Sequence, residues 1–225
     1  MKIEQSAGSP TPGWLQQCGP RLVTHWPVKF LGLTCGMTAF FAAYFQVLRH
    51  PLHPPVIMPL TTIDRWIPFQ PAALPLYLSL WPYILLAPGL MLARRELVTY
   101  TITAVGLGVT GLGIFFLWPT AVPPPGVTWA DNSLFAFLKA TDASGNACPS
   151  LHVAFAIFTA GELGRLLRQM SAGRPALVLN WLWCAGILYS TIATRQHVAL
   201  DVLAGTEIGL LVAGVHQRWL RSPAS

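Results

Sequence analysis

The chain predicts an all-α membrane fold, a polytopic bundle of six helices, on three observations. Charge is scarce: 14 Lys and Arg with 8 Asp and Glu make up 10% of 225 residues, against roughly 25% in soluble domains. Apolar residues reach 53% and the mean hydropathy is +0.52. The charges also fall in short clusters between long uncharged windows. So few charges cannot cover a soluble globule of this size, and disorder needs the opposite bias.

Each window approaches the roughly 20 apolar residues that a span requires. The first span is expected over 29–48, within the window from Phe30 to Leu48, and the second over 72–93, within Trp66 to Ala93. The third, over 97–118, opens the window from Leu97 to Ala130. The fourth, over 150–168, is the least apolar because Glu162 and Arg165 interrupt its end. The fifth, over 175–194, carries no charge, and the sixth, over 197–217, holds Asp201 and Glu207. Together they define a membrane domain over 28–220, preceded by a tail over 1–27 that is expected to be loosely ordered through residue 24. The tail has no apolar core followed by a cleavage site, so the first span is expected to remain as an anchor.

Basic residues set the orientation. Six spans put the N-terminus, the 2–3 and 4–5 loops and the C-terminus on one side, with ten of the 14 cations. Arg49, Arg65, Lys139 and Arg195 lie on the other. Both termini are therefore expected in the cytoplasm, in a bacterial inner membrane, with the 1–2 loop, the 3–4 loop and the 5–6 turn facing out. The net charge of +6 marks the inner side of a membrane protein, and no nucleic-acid partner is expected. Trp66, Trp118, Trp129 and Trp219 fall near span ends, where an aromatic belt forms. The four cysteines have neither disulfide placement nor zinc spacing.

Gly106-Leu-Gly108-Val-Thr-Gly111 matches a dinucleotide fingerprint but lies inside a span with no strand before it. Ala104, Gly108 and Gly111 read instead as a face for close helix packing.

Two stretches carry chemistry, both at the outward ends of spans. In Cys148-Pro149-Ser150-Leu151-His152, Pro and Ser are helix-start signals. The free N–H groups of a helix start favour anions, Ser150 adds a hydroxyl, and His152 can supply a proton. In Ser190-Thr191-Ile-Ala-Thr-Arg195-Gln-His197-Val-Ala-Leu-Asp201, His197 and Asp201 share one helical face at i, i+4. A carboxylate so placed holds one imidazole nitrogen protonated and leaves the other as nucleophile or base. An aspartate one turn inside a membrane helix is costly, which points to function.

These stretches resemble the second and third motifs of the type 2 phosphatidic acid phosphatase superfamily, which includes vanadium haloperoxidases and lipid head-group transferases. Pro149-Ser150-Leu151-His152 resembles Pro-Ser-Gly-His. Ser190, His197 and Asp201 fall at the spacing of Ser-Arg, five residues, His, three residues, Asp. Thr191 stands at the arginine position, and the Lys-x6-Arg-Pro motif expected after span 3 is replaced by Trp118-Pro-Thr-Ala-Val-Pro-Pro-Pro125. Leu151, the lost bases and Ile67-Pro-Phe-Gln-Pro71 are most similar to the branch of inositol phosphorylceramide synthase-like and sphingomyelin synthase-like transferases.

The resemblance implies a lipid substrate and metal-free chemistry with no cofactor. His197 would attack phosphorus, Asp201 would orient it, and His152 would protonate the leaving group. Ser150 would contact the phosphate, with Arg195, Lys139, Ser190 and Thr191 as further candidate contacts, and Asp142 and Asn146 as residues that could orient an acceptor. The commonest activity of the superfamily, hydrolysis of a lipid phosphate monoester or diphosphate, is the first expectation. Head-group transfer is the second and an idle scaffold the third. Independently of the family, Glu162 and Glu207 each lie ten residues after a motif histidine. They are expected at one depth, either paired there or each bonded locally.

Overall fold

The computed structural model describes residues 12–124 and 145–222. It contains helices α1 (Trp14–Val23), α2 (Trp26–Arg49), α3 (Thr62–Trp66), α4 (Leu74–Leu78), α5 (Leu80–Leu90), α6 (Arg94–Leu117), α7 (Leu151–Gln169), α8 (Arg174–Ala193) and α9 (Ala199–Arg221). Among the described residues, five segments are long and apolar enough to cross a membrane: α2, the composite Pro71–Leu90 that ends in α4 and α5, α6, α8 and α9. They fit an integral membrane protein. Trp66, Trp118 and Trp219 are exposed near segment ends, and Trp129 lies outside the described residues.

Helix α7 is the exception and the centre. Glu162, Arg165 and Arg168 lower its hydropathy, yet 14 of its 19 residues are buried. It packs against α5, α6, α8 and α9, so protein rather than lipid surrounds it. A helix enclosed in this way can carry charges that would be costly against hydrocarbon.

The α7–α9 contact is close because α9 turns glycines toward α7. A Cβ on Gly205 would overlap the backbone carbonyl of Ser150, and one on Gly209 would stand 2.8 Å from the Ala154 carbonyl. Small residues that let backbones approach replace the hydrophobic drive that helices lack in lipid. The face predicted on α6 packs in the same way. A Cβ on Gly108 would meet Phe40 at 3.3 Å, and one on Gly111 would overlap the side chain of Leu151. Leu151, which stands where the family motif has glycine, thus fits into space that Gly111 leaves.

The expected tail is partly a helix. Residues Trp14–Val23 form α1, docked on the C-terminal end of α5. Arg21 Nη1 donates to the Leu90 carbonyl (3.1 Å), and Lys29 Nζ donates to Gly89 and Arg21 carbonyls (2.7 Å each). The last carbonyls of a helix lack intrahelical donors, and these cations supply them.

A polar network crosses the bundle at the end remote from the motifs. Arg165 bridges Glu96 and Glu162 at 2.9 Å each. Glu162 Oε2 is also 3.2 Å from His216 Nε2, and His216 Nδ1 meets Thr103 Oγ1 at 3.0 Å. Glu162 and His216 are fully buried. The pairing of Glu162 with Glu207 is corrected: the partners of Glu162 are local, and Glu207 lies on the exposed face of α9. At ~100° per residue, Glu207 is turned ~240° from Asp201, whereas His216 returns to within ~60° of it. Removing one partner of a buried ion pair costs about 3 kcal/mol. Arg165→Met is therefore expected to lower the unfolding midpoint in detergent while leaving turnover per folded molecule unchanged.

Candidate active site

Both motif stretches meet at one end of the bundle. Ser150 caps α7: its Oγ accepts the Val153 N–H at 3.3 Å. That leaves its hydroxyl proton free to donate, and a Ser cap satisfies one of the orphan donors of a helix start. The Ser150 N–H donates to the Asp201 carbonyl at 3.0 Å, so the cap of α7 is bonded directly to the first turn of α9. The approach to the cap is also held. Two-residue strands Val56–Ile57 and Thr120–Ala121 pair in parallel, Ala121 bridges Gly145, and Thr120 Oγ1 accepts the Cys148 N–H at 2.8 Å.

His152 is buried, its ring stacked on Tyr77 at 4.1 Å between centroids, with Trp81 edge-on at 6.2 Å. Its Nε2–H donates to the Tyr77 carbonyl at 3.0 Å. A carbonyl only accepts, so this bond fixes the tautomer and leaves Nδ1 as the proton carrier. His197 follows the turn between α8 and α9, with its N–H donated to the Thr191 carbonyl at 3.1 Å. Its Nδ1 lies 3.5 Å from Asp201 Oδ2, slightly beyond hydrogen-bond length. Such contacts commonly tighten when substrate binds. Asp201 is fully buried, and its Oδ2 accepts the Val198 N–H at 3.0 Å. The Ser150 N–H bond to the Asp201 carbonyl places the starts of α7 and α9, and with them the two motif stretches, side by side. His152, His197 and Asp201, expected to act together, are thus brought together.

The other expected contacts divide. Ser190 Oγ donates to the Ile187 carbonyl (2.6 Å) and Thr191 Oγ1 to the Leu188 carbonyl (2.7 Å), both buried within their own helix. The backbone of Thr191, not its hydroxyl, positions His197. Arg195 has a positive φ of 56° and donates to the carbonyls of Asp64 (2.8 Å) and Ile67 (3.0 Å). Asn146 donates to the Tyr44 carbonyl at 3.4 Å. Lys139 and Asp142 lie outside the described residues.

Asp64 was not anticipated. It is 1% exposed, and its Oδ1 accepts the Ala199 N–H at 2.8 Å at the start of α9. Its Oδ2 accepts both the N–H and the hydroxyl of Thr61 at 2.7 Å. Thr61-Thr-Ile-Asp64 has the spacing of a capping box, which was the available signal. Tyr77, whose carbonyl and ring hold His152, was not among the expected contacts.

Cys148 sits beside Asp201. Burial, then the charge of Asp201, push its thiol up to about 11 from 9.0. Only the thiolate is reactive, so two pH units lower its population about a hundredfold below pH 9. A variant retaining only this cysteine is expected to label slowly with bromobimane at pH 8, and faster after Asp201→Asn.

A family model described as the PAP2 superfamily matches residues 95–222. The chain belongs to the PAP2 superfamily, and that membership supports phosphatase or phosphotransferase activity in general. No curated protein and no solved structure matches the chain.

Proposed function

We propose that the protein is an integral-membrane lipid phosphatase that hydrolyses a phosphate monoester or diphosphate through a phosphohistidine. The observation that carries this reading is the His197–Asp201 pair at the start of α9, whose Asp201 carbonyl accepts the Ser150 N–H two residues before His152. Asp201 holds a proton on Nδ1 of His197, so the Nε2 lone pair attacks phosphorus. The bond from phosphorus to the lipid oxygen breaks, and Nδ1 of protonated His152 gives that oxygen its proton. Water then returns a proton to His152 as its oxygen attacks phosphorus. The phosphorus–nitrogen bond breaks, the electron pair returns to His197, and inorganic phosphate leaves. Ser150 and the first-turn N–H groups of α7 hold the non-bridging oxygens. The charge distribution supports cytoplasmic termini and a site on the outer face of a bacterial inner membrane, where the lipid tails remain in the bilayer.

A second reading, head-group transfer in the manner of the inositol phosphorylceramide synthase-like branch, has a specific observation in its favour. Thr191 replaces a phosphate-gripping arginine, and Arg195 is engaged with the carbonyls of Asp64 and of Ile67, the first residue of the Ile67-Pro-Phe-Gln-Pro71 stretch. The intact triad argues against an idle scaffold. Purified protein given a labelled lipid phosphate, with and without a lipid bearing a free hydroxyl, separates the readings. Free labelled phosphate supports hydrolysis, label on the acceptor supports transfer, and neither product across a panel of lipid phosphates would overturn both.

A further inference from the structure

We infer that Asp64 is a positioning residue for His197, acting through the N-terminus of α9. The assignment rests on His197 being the nucleophile. The segment from Thr61 to Pro71 lies far from the motifs in sequence, yet four hydrogen bonds join it to residues 193–199. Asp64 Oδ1 accepts the Ala199 N–H, the carbonyls of Asp64 and Ile67 accept the two Nη groups of Arg195, and the Gln70 N–H donates to the Ala193 carbonyl at 2.8 Å. His197 lies between these attachments, held on both sides.

The side chain of Asp64 is the only part of this clamp that is both charged and buried in the segment itself. Its three donors, Ala199 N–H and the two groups of Thr61, account for its stability at 1% exposure. A buried carboxylate needs such compensation, and a negative charge at a helix N-terminus is favoured by the helix dipole. Two acids therefore share the start of α9: Asp201 takes the N–H of Val198, and Asp64 takes that of Ala199. Together they fix where the helix begins. The separation of His197 Nδ1 from Asp201 depends on that start, because the histidine precedes the helix and the aspartate lies in its first turn.

The test uses the full chain in detergent or nanodiscs, with Asp64→Ala and the isosteric Asp64→Asn. Three quantities are read: kcat and KM on a labelled lipid phosphate, the unfolding midpoint, and the carbethoxylation rate of His197 by diethyl pyrocarbonate, followed on its peptide against exposed His50. Asp64→Ala is expected to lower kcat ten- to thirtyfold with KM within twofold, and to change His197 reactivity severalfold while His50 stays constant. Asp64→Asn, which keeps one acceptor for Ala199, is expected to fall between it and wild type, and it carries the test if Asp64→Ala does not fold. Unchanged kcat and unchanged His197 reactivity in a folded variant would overturn the assignment. So would a loss of activity matching the loss of folded protein. If the wild type acts on no lipid phosphate, the proposed function fails, while the carbethoxylation rates still decide the clamp.

Discussion

His197→Ala is expected to reduce turnover by about 10⁴-fold or more, because it removes the atom that would accept phosphorus and not a group that merely assists. His152→Ala should behave differently. Loss of a general acid costs roughly 10²–10⁴-fold when the leaving group is a poor one, and a lipid alkoxide is poor. With 4-nitrophenyl phosphate, whose leaving group needs no proton, the His152→Ala deficit should shrink by about tenfold or more, while that of His197→Ala should not. Rapid alkaline quench with phosphorus-labelled 4-nitrophenyl phosphate supplies the second distinction. His152→Ala should accumulate an acid-labile phosphoenzyme, because its breakdown needs the base, and His197→Ala should form none. A variant lacking His197 that still turns over at the wild-type rate would end the phosphohistidine mechanism.

The largest structural effect is expected at Gly205. Its position against the Ser150 carbonyl leaves no room for a side chain, and the obstacle is backbone, which has no alternative rotamer. Overpacking usually costs about 1–3 kcal/mol. Gly205→Leu should reach the upper end of that range, because α7 and α9 must separate along their whole contact. Separation also breaks the bond from the Ser150 N–H to the Asp201 carbonyl. The unfolding midpoint should fall and activity should be lost even in the fraction that remains folded. Gly214→Leu, at a position of the same helix with open space around it, provides the control and should leave both near wild type.

How far the sequence could be read depended on whether the information lay along one helix or between helices. Span positions were legible, because apolar windows and charge clusters delimit them within a few residues: 175–194 was expected where α8 runs from Arg174 to Ala193. The His197–Asp201 contact was legible from its i, i+4 spacing, although α9 starts at Ala199 and His197 reaches Asp201 from the preceding turn instead of from one helical face. Azimuth across helices was not. Register was not legible either: Glu162 meets His216, nine residues or ~14 Å beyond Glu207 along α9, and α9 presents Asp201, Gly205, Gly209, Ala213 and His216 as its buried positions, a face outside which Glu207 falls. Asp64 escaped notice for a related reason. Its capping-box spacing is local, but its bond to Ala199 spans 135 residues. Arg195 counted as an outward cation, and nothing in its neighbours along the chain indicated that two carbonyls would hold it.

The bond between the cap of α7 and the first turn of α9 has a consequence for how this sequence can vary. It joins backbone to backbone, so the contact that brings together two histidines 45 residues apart in sequence is itself made without a side chain. A site built in that way tolerates drift in its signature. Leu151 can stand for glycine where Gly111 makes room, and Thr191 can stand for arginine because its carbonyl is what the turn uses. In such a bundle, ancestry is recorded less in the motif letters than in the places where two main chains touch.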